Sequence, residues 1–197
     1  MKVIGITGGA GSGKSEVLKI LEKEFGAHVI IADDVARHLS EKDQICYNNI
    51  VQAFGTEVLL PDGQLDRPKL ASIVFSDAVK LEQLNEMTHP FVRLAIEDEI
   101  ADQKAAGEAS CIVVEAALLI ESGYTTMCDE VWYVYTDAAI RRVRMKETRG
   151  YSDAKVDSVM ANQLDEDTFR AHSDRVIINN TTLDDIRIQL KEIFKSR

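Results

Sequence analysis

Residues 8 to 15 read Gly-Gly-Ala-Gly-Ser-Gly-Lys-Ser. This is the pattern G-x-x-x-x-G-K-S, by which backbone N–H groups wrap a chain of phosphates. The wrap needs a backbone without Cβ atoms in its path, and Gly8, Gly11 and Gly13 supply it together with access to positive φ. A helix starting near Gly13 turns its N–H groups and the positive end of its dipole on the same anions. Lys14 is placed to reach the β- and γ-phosphates, and the Ser15 hydroxyl to reach Mg²⁺. The ligand these residues imply is a nucleoside triphosphate.

Other side chains have the chemistry to act on such a ligand. Asp33 stands just past an apolar run, His28–Ala32. A carboxylate there can accept the proton of an attacking hydroxyl and aim it at the γ-phosphate. Equally, Asp33 or Asp34 can serve as the cap of a helix containing Val35, Ala36 and Leu39. Arg141 and Arg144 are three apart and share a helix face, with Arg149 about a turn further on. Guanidinium groups so placed can neutralise a transferring phosphoryl group, or form a solvated face paired with nearby acids. Arg142 points elsewhere. Glu115 follows the run Cys111–Val114 and can hold a water on Mg²⁺ or cap the Ala-Ala-Leu-Leu stretch after it. His89 precedes Pro90 and can contact a phosphate or a base, or be structural.

Elements must position these groups. Lys2–Thr7, His28–Ala32, Cys111–Val114, Glu130–Tyr135 and Arg175–Asn179 are short, continuous apolar runs. Such runs suit parallel strands covered on both faces. A helix carrying Val17, Leu18, Leu21 and Phe25 follows the first, and another, Leu183–Phe194, closes the chain. The alternation implies an α/β three-layer sandwich with a five-stranded parallel sheet. The gap between the second and third strands is too long for one crossover. There, Asp66 caps a helix with Pro68 in its first turn, Ser76 caps a second, and Pro90 begins a third. Pro61-Asp-Gly63 is a turn. Residues 41–107 thus form a helical insertion over the sheet's carboxyl edge. A polar helical piece at 152–170, capped by Ser152 or Asp153, belongs to a lid covering about 145–170.

Composition limits the alternatives. The chain has 197 residues, 45% of them hydrophobic, and a formal net charge of −10. That surface repels nucleic acid and anionic membrane, so neither is expected as a partner. Against the trend, Arg141, Arg142, Arg144, Lys146 and Arg149 outnumber Asp137 and Glu147, which suits a small, confined anion. Cys46, Cys111 and Cys128 are widely spaced and show no zinc pattern, so a reducing cytoplasm is expected. The N-terminal residues do not read as a signal peptide. No apolar run approaches the roughly 20 residues of a membrane span. No Asn-Lys-x-Asp or Leu-Ser-Gly-Gly-Gln run marks a GTPase or a transporter-type ATPase. No obligate protein partner is evident.

Taken together, the residues resemble the dephospho-CoA kinase family of phosphate-loop kinases. The similarity runs through Gly5-Ile-Thr-Gly-Gly-Ala-Gly-Ser-Gly-Lys-Ser15 and Ala32-Asp33-x-x-Ala36-Arg37. It continues in Gly63-x-Leu65-Asp66-Arg67-x-x-Leu70-x-x-x-Val74-Phe75 and Leu81-x-x-Leu84-Asn85-x-x-x-His89-Pro90. The segments Glu115–Glu121, Gln163 and Ser173–Asn179 are similar as well. The resemblance implies transfer of the ATP γ-phosphate to the ribose 3′-hydroxyl of dephospho-CoA, with Mg²⁺. By resemblance, Gly11, Ser12, Gly13, Lys14, Ser15 and Glu16 hold ATP, and Asp33 is the base. Arg141 and Arg144 lie in the matching arginine segment, and Arg37, His89 and the insertion line the acceptor pocket. It implies a core of residues 1–40 and 108–197 and a CoA-type acceptor insertion at 41–107. Ile31, Glu16, Ala117 and Thr148 stand where the family usually carries Asp, Thr, Pro and Arg. The nearest alternative is another small-molecule kinase, acting on a nucleoside, a nucleoside monophosphate or shikimate. A nucleotide-dependent switch is a further one.

Overall fold

The computed structural model describes residues 1–195. Five strands, β1 (Val3–Thr7), β2 (His28–Ile31), β3 (Ile112–Glu115), β4 (Glu130–Tyr135) and β5 (Arg175–Ile178), form one sheet in the order β2-β3-β1-β4-β5. The expected strands are all present, with ends moved by at most one residue. β1 runs parallel to β3 with Val3 opposite Ile112, and to β4 with Ile4 opposite Glu130. β4 pairs in parallel with β5, Trp132 opposite Arg175. Every residue of β1 is buried. This follows from its central place, with helices on both faces.

The chain divides into two compact units, Met1–Val29 with the chain from Gln103 onward, and Ile30–Asp102. In the first, α1 (Lys14–Phe25) buries Val17, Leu18, Ile20 and Leu21. The closing helix α9 (Leu183–Lys195) buries Ile186 and Leu190. Phe194 links the layers, 4.7 Å from the Phe25 ring and edge-on to Trp132 at 6.1 Å. β5 is an outer strand. Its Ile178 N–H donates to Gln189 Oε1, and Gln189 Nε2 donates back to Ile178 O, both at 2.9 Å. After β4 come α6 (Ala138–Arg149), α7 (Asp153–Ala161) and α8 (Glu166–Ala171). The helical piece expected at 152–170 is therefore two helices. Ser152 accepts from Lys155 N–H to start α7, and Asp165 accepts from Thr168 N–H to start α8.

The second unit is mainly helical: α2 (Ala32–Leu39), α3 (Ile45–Phe54), α4 (Arg67–Phe75) and α5 (Ala78–Ala106), whose last residues lie past its boundary. Tyr47, Ile50, Val58, Leu65, Leu70 and Val74 form its own buried cluster. Asp66 caps α4 by accepting from Lys69 N–H at 3.0 Å. The turn at Pro61–Gly63 closes by Gly63 N–H donating to Leu60 O at 2.9 Å, and it joins Leu59 to Leu65 in an antiparallel bridge. Two expectations need correction. Ser76 starts no helix. Its hydroxyl donates back to Ile73 O, whereas Asp77 Oδ1 accepts from Val79 and Lys80 N–H and so caps α5. Nor does Pro90 begin a helix. It sits within the 29-residue α5. The N–H it lacks would have bonded Glu86 O, and Glu86 and Pro90 are both exposed, so solvent can serve that carbonyl. Asn49 Nδ2 donates to Met87 O nearby at 3.4 Å.

Candidate active site

The phosphate loop leaves β1 at Gly8 and enters α1 at Lys14, as the motif requires. Its conformation depends on glycine. Gly8 has φ of +149° and a Cβ there would stand 2.6 Å from Val134 O. Gly13, with φ of +83°, begins α1 without a side-chain cap.

The loop's carbonyls are held from within the protein. Lys14 Nζ donates to Gly8 O at 2.7 Å and Arg141 Nε to Ala10 O at 2.9 Å. Ser12 N–H donates to Gly9 O at 3.1 Å. Ser12 O accepts from both Thr136 Oγ1 at 2.9 Å and Asn179 Nδ2 at 2.8 Å. With these acceptors satisfied inside the protein, the loop's carbonyls are kept from opposing an anion, as a nest of N–H groups requires. Thr7 Oγ1 and Ser12 Oγ are buried with no hydrogen-bond partner in the protein.

Charge collects around the loop. The Lys14 ammonium is 3.6 Å from Glu115 Oε1 at the end of β3. Burial lowers the Lys14 pKa below its ordinary 10.5. Glu115 opposes that shift, while Arg149 and Arg141 add to it. Burial likewise lowers Arg141, whose guanidinium lies over Gly9. Arg144 stands at the other end of the loop. Its Nη2 donates to Asn179 O at 3.0 Å, and a Cβ on Gly13 would be 3.4 Å from Nη1. The shared face of α6 thus brings Arg141 and Arg144 to the two ends of the loop. Arg142 turns outward to Asp157 and Asp153.

The remaining expected residues are placed as follows. Ser15 is exposed at the first turn of α1. Glu16 N–H donates to Gly13 O at 3.0 Å, and its carboxylate pairs with Lys19. Glu115 caps no helix, because Ala117–Gly123 forms successive turns, with Ser122 N–H bonded to Leu118 O and Gly123 at φ of +69°. Asp33, Arg37 and His89 belong to the second unit. Asp33 is exposed in the first turn of α2, immediately past the end of β2. It is not the cap, which falls at Ile31. Arg37 pairs with Asp34 at 3.3 Å, and its carbonyl accepts from Arg67 Nη2. His89 is exposed within α5. Among the described residues, no group of three or more His, Cys, Asp and Glu is arranged to hold a metal ion. No described helix is long and apolar enough to cross a membrane.

Reading the residues for chemistry misses Thr136 as a holder of the loop, and meets Asn179 and Gln163 only as parts of a resemblance. One signal was available. Thr136 and Asn179 are polar residues directly after apolar strands, at the edge where the loop lies.

Comparison with known proteins bears on this arrangement. A family model described as dephospho-CoA kinase matches residues 2–185. A dephospho-CoA kinase of Moorella thermoacetica is 40% identical over 191 residues, 97% of this chain and 90% of that protein. One of Geobacter sulfurreducens is 39% identical over 197 residues, covering 100% and 99%. Among solved structures, TT1252 from Thermus thermophilus aligns with a TM-score of 0.84 and 29% identity, covering 99% of this chain and 97% of that one.

Proposed function

The chain belongs to the dephospho-CoA kinase family, and from that premise we propose how its residues move a phosphate from ATP to the ribose 3′-hydroxyl of dephospho-CoA. It is an ATP-dependent kinase with an alcohol acceptor, and the product is coenzyme A. The observation that carries the residue-level reading is the loop at Gly8–Ser15, with its carbonyls held inward and Lys14, Arg141 and Arg144 around it.

The loop's N–H groups bind the phosphate chain, and the buried hydroxyls of Thr7 and Ser12 have polar partners to gain from a ligand there. Lys14 faces the β- and γ-phosphates. Arg141 offsets the charge spreading over the transferring phosphoryl group at its end of the loop, and Arg144, beside Gly13, the charge left on the inner phosphates as they depart. Asp33 orients the 3′-hydroxyl and accepts its proton. Its position just past a strand end supports this role. Arg37 and His89 contact the acceptor. We assign acceptor recognition to residues 41–107 and the lid to about 145–170.

Mg²⁺ fits the residues present. A hard cation takes oxygen ligands and commonly uses few protein groups beside substrate phosphates. The exposed Ser15 hydroxyl can ligate it, and Glu115 can hold a water on it. When bound, the ion neutralises phosphate charge. A cytoplasmic setting agrees with the lack of a disulfide among the described cysteines.

The direct test offers labelled ATP with dephospho-CoA, nucleosides, nucleoside monophosphates and shikimate. Label is expected on dephospho-CoA, and label on another acceptor instead would overturn the reading. Asp33→Asn should retain ATP binding and lose about 10²–10⁴-fold in turnover. Near-normal turnover of that variant would remove Asp33 from its role.

A further inference from the structure

Gln163 lies in the turn between α7 and α8. Its side-chain oxygen accepts from Ala10 N–H at 3.2 Å and from Arg141 Nη2. Both partners can only donate, so the carboxamide oxygen must face them. Arg141 also spends Nε on Ala10 O. Ala10, Arg141 and Gln163 therefore close a ring of three hydrogen bonds at one end of the phosphate loop.

Which end this is follows from Lys14. Its ammonium sits at Gly8 O, 2.7 Å away, and a lysine of this motif reaches the β- and γ-phosphates. The terminal phosphate therefore belongs at the Gly8–Ala10 end, and the inner phosphates at Gly13, where α1 begins. Gly8 and Gln163 also border the same cavity of about 310 Å³, with Lys155 and Phe169 among its other walls. Two donors converging on one oxygen at that end form a seat for a phosphate oxygen. A neutral carboxamide accepts less strongly than an oxygen bearing phosphate charge.

We propose that Gln163 is a positioning residue: it keeps Ala10 N–H and the Arg141 guanidinium aimed at the seat of a terminal phosphate oxygen, and when a triphosphate binds it cedes Ala10 N–H while still holding Arg141 Nη2. This rests on the reading that the loop takes ATP. It makes Gln163 sensitive to the third phosphate in particular, since a diphosphate has no oxygen to place there.

Calorimetry with MgATP and with MgADP, without acceptor, tests it on the full chain. Gln163→Glu keeps the shape and puts a negative charge on the seat. It is expected to raise the Kd for MgATP by about tenfold or more while changing that for MgADP by less than about threefold. Equal weakening of both nucleotides, or of neither, would overturn the proposal. A structural defect would not discriminate between them. Should that variant fail to fold by its melting curve, Gln163→Met decides. Its kcat with dephospho-CoA should fall about tenfold with KM for ATP within about threefold, because Arg141 loses its hold. A wild-type kcat would overturn the proposal. Wild-type protein in the same assays separates the two readings. If it binds no MgATP, the loop assignment itself fails. If it binds and turns over while the variants show no discrimination, the role of Gln163 alone fails.

Discussion

At Lys14 two demands oppose each other. Burial and the charges of Arg149 and Arg141 disfavour the ammonium, while Glu115 favours it, and the balance leaves its pKa lowered. The folded value lies below the ordinary 10.5 that the unfolded chain keeps. Between those values the unfolded state binds more protons, so stability rises with pH there. The penalty is present below the folded value and disappears as pH rises toward 10.5. In urea titrations, the stability difference between wild type and Lys14→Met should shift in favour of wild type as pH rises from neutrality. A difference that stays flat would refute the charge argument. The same variant should lose about 10²–10³-fold in kcat, measured at saturating ATP, since it removes a cation aimed at developing charge. Lys14 and Ser15 could be read from the motif because their neighbours in sequence define them. Asn179 could not be assigned its task that way. It holds Ser12 O across 167 residues, and the adjacency of β1, β4 and β5 is what brings the two together.

The elements differ in how plainly residue patterns announce them. The strands were legible because a parallel sheet covered on both faces demands unbroken apolar runs. α5 was not, because Pro90 reads as a helix start, whereas the residues on both sides keep the helical path. Thr88 Oγ1 bonds back to Leu84 O, and Val92, Ile96 and Ile100 are buried beyond it. Tertiary burial thus outweighs a proline penalty of about 3 kcal/mol relative to alanine. Pro90→Ala is therefore expected to raise the urea-unfolding free energy by about 1–3 kcal/mol. A loss of stability would mean that the surroundings of the ring, and not the missing N–H, govern this position. The turns at Ala117–Gly123 were likewise missed, since Ala-Ala-Leu-Leu has good helical propensity and only the fold shows Leu119 buried and Leu118 exposed.

On the scale of the whole molecule, charge and burial are distributed separately. The net charge is −10, yet Lys14, Arg141 and Arg144 stand together at one loop, so attraction for an anion is local and not a property of the general surface. Lys14, Arg141 and Arg144 belong to the first unit, whereas the Tyr47, Ile50 and Val58 cluster belongs to the second. A ligand stabilises what it binds. Hydrogen exchange with MgATP alone should therefore slow the amides of α1 and the phosphate loop by about tenfold or more. Exchange in α3 and α4 should change by less than about twofold. Equal slowing in both would show that the nucleotide acts on the chain as one cooperative body. The Gln189 carboxamide has a consequence of its own. By matching the donor and acceptor of Ile178, it behaves like a rung of a neighbouring ladder that ends after one step. A bare outer strand is a template on which further molecules can stack into fibrils. Here that growth point is already plugged at Ile178, the last residue of β5, by a side chain of α9.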